Sequence, residues 1–137
     1  MLARWVNQKV KEEAWDDKDI IVMGDFNIPS RQNNLYNAIT KKFNGKGLQA
    51  PEALMKTDHG SDLEKNKTYD QILHMPEFTN CFTDLGGVLD FYCGDHKPLF
   101  PNLDKQKFTF QVSDHLPLWI QLKVDTLDEK IDQILGN

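Results

Sequence analysis

The sequence predicts a single α/β domain with a mixed or mainly antiparallel sheet and helices on one face. The chain has 137 residues, the length of one domain, and 39% hydrophobic with 27% charged residues is typical of a globular protein. The run "IIVM" at 20–23 is apolar at every position, which predicts a strand with both faces covered. Amphipathic segments at helical spacing flank it. We therefore treat residues 1–137 as one domain.

The first third of the chain is predicted to form two helices around that strand. The first helix runs towards "WDDKD" and carries apolar residues at helical spacing, namely Leu2, Trp5, Val6, Val10 and Ala14. The strand covers "IIVMGDF". The second helix covers "NLYNAITKKF", with Leu35, Ala38, Ile39 and Phe43 on one side, and "NGKG" is expected to stop it.

The rest of the chain is predicted to alternate loops and short strands. Residues 44–67 are polar and poorly periodic, which indicates a long surface excursion with at most a short helix at "PEALM". "YDQILHM" and "FTNCFTDL" are strand candidates, and residues 90–105 are irregular. "PLWIQLKV" alternates as a strand, and residues 126–137 are predicted to form a helix capped by Thr126.

Charge and cysteine content narrow the class of protein. A net charge of −5 argues against a broad nucleic-acid-binding face. No apolar run is long enough to span a bilayer, and the N-terminal segment lacks the pattern of a signal peptide. Cys81 and Cys93 would give at most one disulfide, too few for a typical secreted domain, so we expect reduced thiols. These features predict a cytoplasmic protein.

Three short stretches place an acidic residue at one end of an apolar strand: "IVMGDFN", "TYDQIL" and "VSDHLPL". Neighbouring strand ends would bring the polar residues of these stretches to one rim of a sheet, namely Asp25, Asn27, Asp70, Asp114 and His115. Acids gathered at one edge repel each other unless a cation lies among them, and hard oxygen ligands suit Mg²⁺ or Mn²⁺. The sequence therefore predicts a divalent-cation site.

The chemistry that fits this set of side chains is hydrolysis of a phosphate ester. A cation, an imidazolium and a carboxamide N–H can each stabilise charge on the phosphoryl oxygens, which accounts for His115 and Asn27. Asp25 is placed to orient and deprotonate the attacking water. Asp70 can bond the far nitrogen of His115 and favour its charged form.

Each of these motifs also has an ordinary structural interpretation. "GDFN" alone is good turn chemistry, "SDHLPL" can be a cap with a solvent-facing histidine, and "TYDQIL" can be an edge strand. His59 and His96 lie beside acids in loop-like sequence and are interpreted as solvated residues. The tryptophans are interpreted as core or interface anchors, namely Trp5, Trp15 and Trp119.

Together the three motifs resemble the signature segments of the second half of the endonuclease/exonuclease/phosphatase superfamily, which has the deoxyribonuclease-I-like fold. The resemblance implies a four-layer α/β/β/α sandwich and divalent-metal-dependent cleavage of phosphoesters such as nucleic acids, phospholipid headgroups or small phosphodiesters. It implies Asp25 as the water-orienting carboxylate and Asn27 as a phosphate contact. It further implies Asp114, together with Asp25, as metal ligand, and His115 as a phosphate contact partnered by Asp70.

The chain departs from that superfamily in length. Only 24 residues precede Asp25, so the first half of the sandwich is absent, and with it the glutamate that similar proteins use as principal metal ligand. Glu12 and Glu13 lie on a predicted helix and do not replace it. We expect a half-sandwich whose bare sheet face pairs with a second copy or with a separate first half. A catalytically silent module that binds a phosphorylated ligand or a partner protein is the alternative function.

Overall fold

Helices and two small antiparallel sheets form the described part of the chain, which confirms the predicted α/β class. The computed structural model describes residues 2–12, 18–57, 59–92 and 101–124. In chain order these residues form α1 (Leu2–Lys9), β1 (Ile21–Asp25), α2 (Asn34–Ile39), α3 (Glu52–Lys56), β2 (Asp70–His74), β3 (Phe82–Val88), α4 (Lys105–Gln111) and β4 (Leu118–Leu122). Within those ranges, none of the helices has the length and hydropathy needed to cross a bilayer.

The first sheet is a ladder of β1 and β2. Its antiparallel register pairs Asp25 with Asp70 at one end and Ile21 with His74 at the other. Residues directly opposite each other in such a ladder share a face, so the two aspartates project to the same side of the sheet. Met23, midway along β1, is 67% exposed. The described residues therefore leave this apolar strand open to solvent at Met23.

The second sheet is a separate antiparallel ladder of β3 and β4. It pairs Phe82 with Leu122 at one end and Val88 with Leu118 at the other, with a register shift between Phe82 and Gly86. The sequence predicts that the three acid-bearing strands share one sheet, but the described strands form two two-stranded ladders. An irregular register of this kind bends and twists a strand, and such local geometry has no signature in the apolar pattern.

The larger of two apolar clusters packs helices α1 and α2 against the β1–β2 ladder. Its buried members are Val6, Val10, Ile28, Tyr36, Leu48, Ala50, Leu73 and Met75. A smaller cluster of Leu63, Phe108 and Leu116 joins α4 to the segment before β4.

Residues 44–67 are not a surface excursion, and that prediction is wrong. Leu48 and Ala50 are part of the larger core cluster, and Leu54 on α3 is fully buried. Between them, Gln49 exchanges two backbone hydrogen bonds of 2.9 Å with His74, so this short stretch extends the edge of the first sheet. The apolar alternation spans only three residues, which is too short to distinguish from loop sequence. The short helix at "PEALM" is confirmed as α3.

The second helix is shorter than predicted and buries a different side. Helix α2 ends at Ile39, and Tyr36 is 8% exposed whereas Leu35 is 56% exposed. Thr40, which follows the helix, donates its hydroxyl to the Tyr36 carbonyl oxygen at 2.7 Å. The segment "NGKG" forms a tight turn after the helix, because Asn44 and Gly45 adopt φ values of 55° and 81°. The helix therefore ends at its cap, Thr40, and "NGKG" forms a separate tight turn further along the chain.

Several other sequence predictions differ from the structure at the chain's periphery. Helix α1 ends at Lys9, earlier than predicted, since residues 10–12 are described and lie outside the helix. Helix α4 was missed, because Asp104, whose side chain accepts a hydrogen bond from the Lys107 N–H at 2.9 Å, starts a helix within sequence that shows little periodicity. The predicted C-terminal helix with Thr126 lies outside the described residues. So do Glu13, Ala14, Trp15, Cys93 and His96.

Candidate active site

Two carboxylates face each other at one end of the first sheet. Asp25 ends β1 and Asp70 begins β2, and the ladder register places them directly opposite. The Phe26 N–H donates to the Tyr69 carbonyl oxygen at 3.0 Å, which continues the pairing one residue beyond the strands. Opposed acids in an antiparallel ladder destabilise it unless a positive group lies between them. The sheet geometry therefore places two carboxylates where a neighbouring positive group would stabilise them.

The turn after β1 orients the first carboxylate. The Asn27 N–H donates to Oδ1 of Asp25 at 2.8 Å, and Asn27 itself adopts a left-handed φ of 52°. An aspartate that accepts from the N–H two residues later forms an Asx-turn. The turn interpretation of "GDFN" is therefore correct as local structure. It also holds one Asp25 oxygen in place at the sheet end and leaves the other oxygen available.

His115 reaches Asp70 from a different part of the chain. Its Nδ1 lies 2.7 Å from Oδ2 of Asp70. The Tyr69 ring stacks on the imidazole with centroids 5.6 Å apart and planes 24° from parallel. The imidazole is thus held by an acid on one side and an aromatic ring on another. Because Nδ1 contacts Asp70, Nε2 is the ring nitrogen available to a ligand.

Ser61 joins the start of β2 to the segment before β4, and the sequence alone did not single it out. Its hydroxyl accepts from the Asp70 N–H at 3.1 Å, and its carbonyl oxygen accepts from the Leu116 N–H at 2.6 Å. The neighbouring Gly60 allows this loop to pack closely, because an added Cβ would lie 2.2 Å from the Lys67 carbonyl oxygen. The glycine is visible in the sequence, but the close approach that requires it is not.

The charges around His115 favour its protonated form. Burial lowers the pKa of the imidazole, but its hydrogen bond to Asp70 and the negative charges of Asp70, Asp114 and Asp25 outweigh this effect, so the pKa is raised. A raised pKa increases the fraction of imidazolium near neutral pH. The site is therefore arranged to present a positive group between carboxylates.

The structure brings three of the five predicted site residues into one group. Asp25, Asp70 and His115 each offer a ligand atom, and these atoms lie within 4.8 Å of one another. Asp114 is exposed and adjacent in sequence to His115, but it is not a member of this group. Asn27 reaches the site through its backbone N–H, and its side chain is exposed.

The donor set of this group suits a divalent cation in part. Two carboxylates are the hard oxygen ligands that Mg²⁺ and Mn²⁺ prefer. The third member, His115, already has its Nδ1 engaged with Asp70. Asp25 therefore fits as an oxygen ligand, whereas Asp70 and His115 are engaged with each other through Oδ2 and Nδ1.

A cleft of about 420 Å³ borders the site on the side of α4. Tyr69 and Asp114 lie at its inner end, and Lys67, Lys105 and Thr109 are among the other residues that line it. Lys105 is paired with Glu64 across the cleft. The cleft is thus continuous with the stacked Tyr69–His115 pair, and it offers room for a molecule larger than inorganic phosphate.

In comparisons with protein-family models, curated proteins and solved structures, nothing matches the chain. The interpretation of the site therefore depends on the geometry of its own residues. Two other predictions can be compared with that geometry. His59 is exposed, as interpreted from the sequence, and Glu12 pairs with Lys9 at 2.8 Å, at the end of α1.

Proposed function

We propose that this chain belongs to a divalent-metal-dependent phosphoester hydrolase of the endonuclease/exonuclease/phosphatase type, and that it supplies the second half of a four-layer α/β/β/α sandwich. The observation that carries the proposal is the contact of 2.7 Å between His115 Nδ1 and Asp70 Oδ2, beside Asp25 at the paired end of β1 and β2. The order of the three motifs along the chain supports it.

Asp70 and His115 act together on the phosphate. Asp70 accepts a hydrogen bond from Nδ1–H, which orients the ring and directs Nε2 towards the substrate. The protonated imidazole donates from Nε2–H to a non-bridging phosphate oxygen and stabilises the charge that develops there. The raised pKa of His115 favours this charged form.

Asp25 acts on the attacking water, and Asn27 contacts the phosphate. One oxygen of Asp25 accepts the Asn27 N–H, so the second oxygen is the one that orients a water and accepts its proton. The Asn27 side chain, which is exposed at the same turn, donates its amide N–H to the phosphate.

A divalent cation, Mg²⁺ or Mn²⁺, would be held in this chain by Asp25 and Asp114. It would supply a positive charge that polarises the phosphoryl group. Asp114 is exposed and adjacent to His115, where a cation would relieve the repulsion among the three aspartates. Affinity is expected to be weak with two carboxylate ligands from this chain.

Phosphodiesters are the preferred substrate class over monoesters. The cleft beside Tyr69 gives space for a group on the far side of the phosphate, as a diester requires. Nucleic acid, a phospholipid headgroup and a small phosphodiester all present this chemistry. The unevenly charged cleft lining, with Lys67 and Lys105 beside Asp62 and Asp114, does not select among them.

The alternative is a catalytically silent module that binds a phosphorylated ligand or a partner protein. Glu12 favours this alternative. Its carboxylate pairs with Lys9 at the end of α1, so it does not supply a metal ligand at the Asp25–Asp70 end of the sheet. We also propose that the open face at Met23 pairs with a second copy of the chain or with a separate first half.

Hydrolysis of bis(4-nitrophenyl) phosphate with Mg²⁺ or Mn²⁺ tests the proposed function. The unsubstituted chain should show metal-dependent turnover that Asp25→Ala and His115→Ala each abolish. His59→Ala is the matched control, since His59 is an exposed loop histidine, and it should leave turnover unchanged. Metal binding without turnover in any of these proteins would favour the silent module and contradict the hydrolase.

A further inference from the structure

A second cleft, of about 460 Å³, lies at the opposite end of β2 from Asp70. It is enclosed by the start of α3, the end of β2 and the start of β3. The polar residues that matter for its chemistry are Gln49, Glu52, His74, Thr79 and Asp84. None of the proposed hydrolytic residues lines it, so its role is separate from phosphoester chemistry.

His74 presents an unpaired acceptor to this cleft. The side chain is 6% exposed, and its Nδ1 lies 3.0 Å from the Thr79 carbonyl oxygen. A carbonyl oxygen only accepts, so Nδ1 carries the proton and Nε2 carries a lone pair. No described residue bonds to Nε2. The Phe82 ring meets the imidazole edge-on at 4.5 Å and limits its rotation.

The imidazole is neutral at ordinary pH. Burial lowers the pKa of His74, and this outweighs the opposing effects of the Thr79 hydrogen bond and the nearby Glu77 charge. A neutral imidazole in this tautomer can accept a hydrogen bond at Nε2 but cannot donate one there. The group complementary to Nε2 is therefore a donor.

Thr79 adds a second unsatisfied group at the same wall. The residue is 2% exposed, and its hydroxyl has no hydrogen-bond partner in the described part of the chain. Buried polar groups are normally paired, so an unpaired hydroxyl indicates a water, an ion or a ligand group in the cleft. Both His74 and Thr79 line the cleft, and the Thr79 hydroxyl is the buried one of their two unpaired atoms.

The charges of the cleft select a cation. Glu52 is paired with Lys56 at 2.8 Å. Asp84 is exposed and forms no ion pair with a described residue, although the Lys56 ammonium is near enough to interact with its charge. The lining includes no lysine or arginine among the residues that the structure describes. Pro51, Pro76 and Phe82 supply apolar surface between these polar groups.

We propose that this cleft binds a primary ammonium group carried on a short apolar stem. Asp84 pairs with the positive charge, and Nε2 of His74 accepts one of the three N–H donors. The proline and phenylalanine side chains contact the stem. An amine of this kind satisfies acceptors that no described residue satisfies.

An NMR titration of the His74 imidazole with n-butylammonium tests the proposal. A saturable shift is expected, and n-butanol, which has the same stem without the charge, should bind at least tenfold more weakly. Asp84→Asn should weaken n-butylammonium binding by a similar factor. Glu77→Gln is the matched control: this acid lies near His74 but does not line the cleft, so binding should be unchanged.

Three results would overturn the proposal. Equal binding of n-butanol and n-butylammonium would show that charge plays no part. An equal loss of n-butylammonium binding in Asp84→Asn and Glu77→Gln would show that the net negative charge near the cleft matters, and not a direct contact with Asp84. A shift of the same resonances by Mn²⁺ alone would assign the cleft to a metal ion. Because the readout is binding at His74, these outcomes are independent of whether the chain hydrolyses phosphoesters.

Discussion

The two ends of the β1–β2 ladder each hold a histidine, and the two histidines have opposite electrostatic environments. At one end His115 contacts Asp70 among three carboxylates, and its pKa is raised. At the other end His74 is buried against a backbone carbonyl, and its pKa is lowered. The same five-residue strand, β2, thus joins a charged site to a neutral, packed one. Burial at one end and neighbouring acids at the other give the two histidines opposite pKa shifts.

The largest effect is expected when the acid at the charged end is neutralised. Asp70→Asn should lower metal-dependent hydrolysis by roughly 10²–10⁴-fold, because the imidazole loses the group that fixes its tautomer and charge. Glu77→Gln removes the acid near the other histidine and should leave the rate unchanged. Initial rates for bis(4-nitrophenyl) phosphate compare the two. Similar rates in both variants would remove Asp70 from the proposed mechanism.

Truncation of the strand's buried face should destabilise the whole ladder. Leu73 is fully buried in the larger core cluster, so Leu73→Ala should lower the free energy of unfolding by about 2–5 kcal/mol. Met23→Ala, on the open face of the paired strand, should change it by less than about 0.5 kcal/mol in a monomer. Urea denaturation of both variants measures the difference. A large loss in Met23→Ala would show that its face is covered.

The two histidines should give stability opposite dependences on pH. The lowered pKa of His74 gives a contribution that is present above the unfolded-state value of about 6.5 and is lost as pH falls through the folded-state pKa. The raised pKa of His115 gives one that is present below about 6.5 and is lost as pH rises through the folded-state pKa. His74→Gln should therefore flatten the acidic side of the stability profile, and His115→Gln the neutral side.

Urea midpoints measured between pH 5 and 8 for the three proteins separate these contributions. If both substitutions flattened the same side of the plot of stability against pH, the pKa values of His74 and His115 would not be shifted in opposite directions. No change in either variant would mean that neither histidine contributes through its protonation.

The smallest expected effect is on self-association through the open face. If the faces of two copies pack together, Met23→Lys should shift the chain from dimer to monomer, because a charged side chain would be buried in the contact. The fold should be retained, since Met23 is largely exposed within one chain. Sedimentation velocity reports the change. A monomeric unsubstituted chain would contradict the dimer.

The sequence was sufficient for the strands of the candidate site and for its three central side chains. Strands β1, β2 and β4 were predicted from apolar runs, and Asp25, Asp70 and His115 from the motifs at their ends. These features are local, so a pattern of a few residues can reveal them. The α/β class follows from the same periodicities.

What the sequence could not provide depends on contacts between distant segments. The docking of Ser61 against Asp70 and Leu116 joins three segments of the chain, and no local pattern marks it. The buried side of α2 was predicted wrongly because Leu35 is the more hydrophobic residue, while the larger Tyr36 packs into the core. Helix α4 has a capping aspartate but few apolar residues, so its sequence resembles loop.

A titration with Mn²⁺, monitored by paramagnetic broadening of backbone amide signals, tests most directly whether the charged end of the ladder is a metal-dependent site. Broadening should begin at Asp25, Asp70 and His115 at low Mn²⁺ concentration and should be lost in Asp25→Ala, while the signals of His74 and Thr79 stay sharp. Uniform broadening, or broadening that survives in Asp25→Ala, would contradict a divalent-cation site at this end of the sheet.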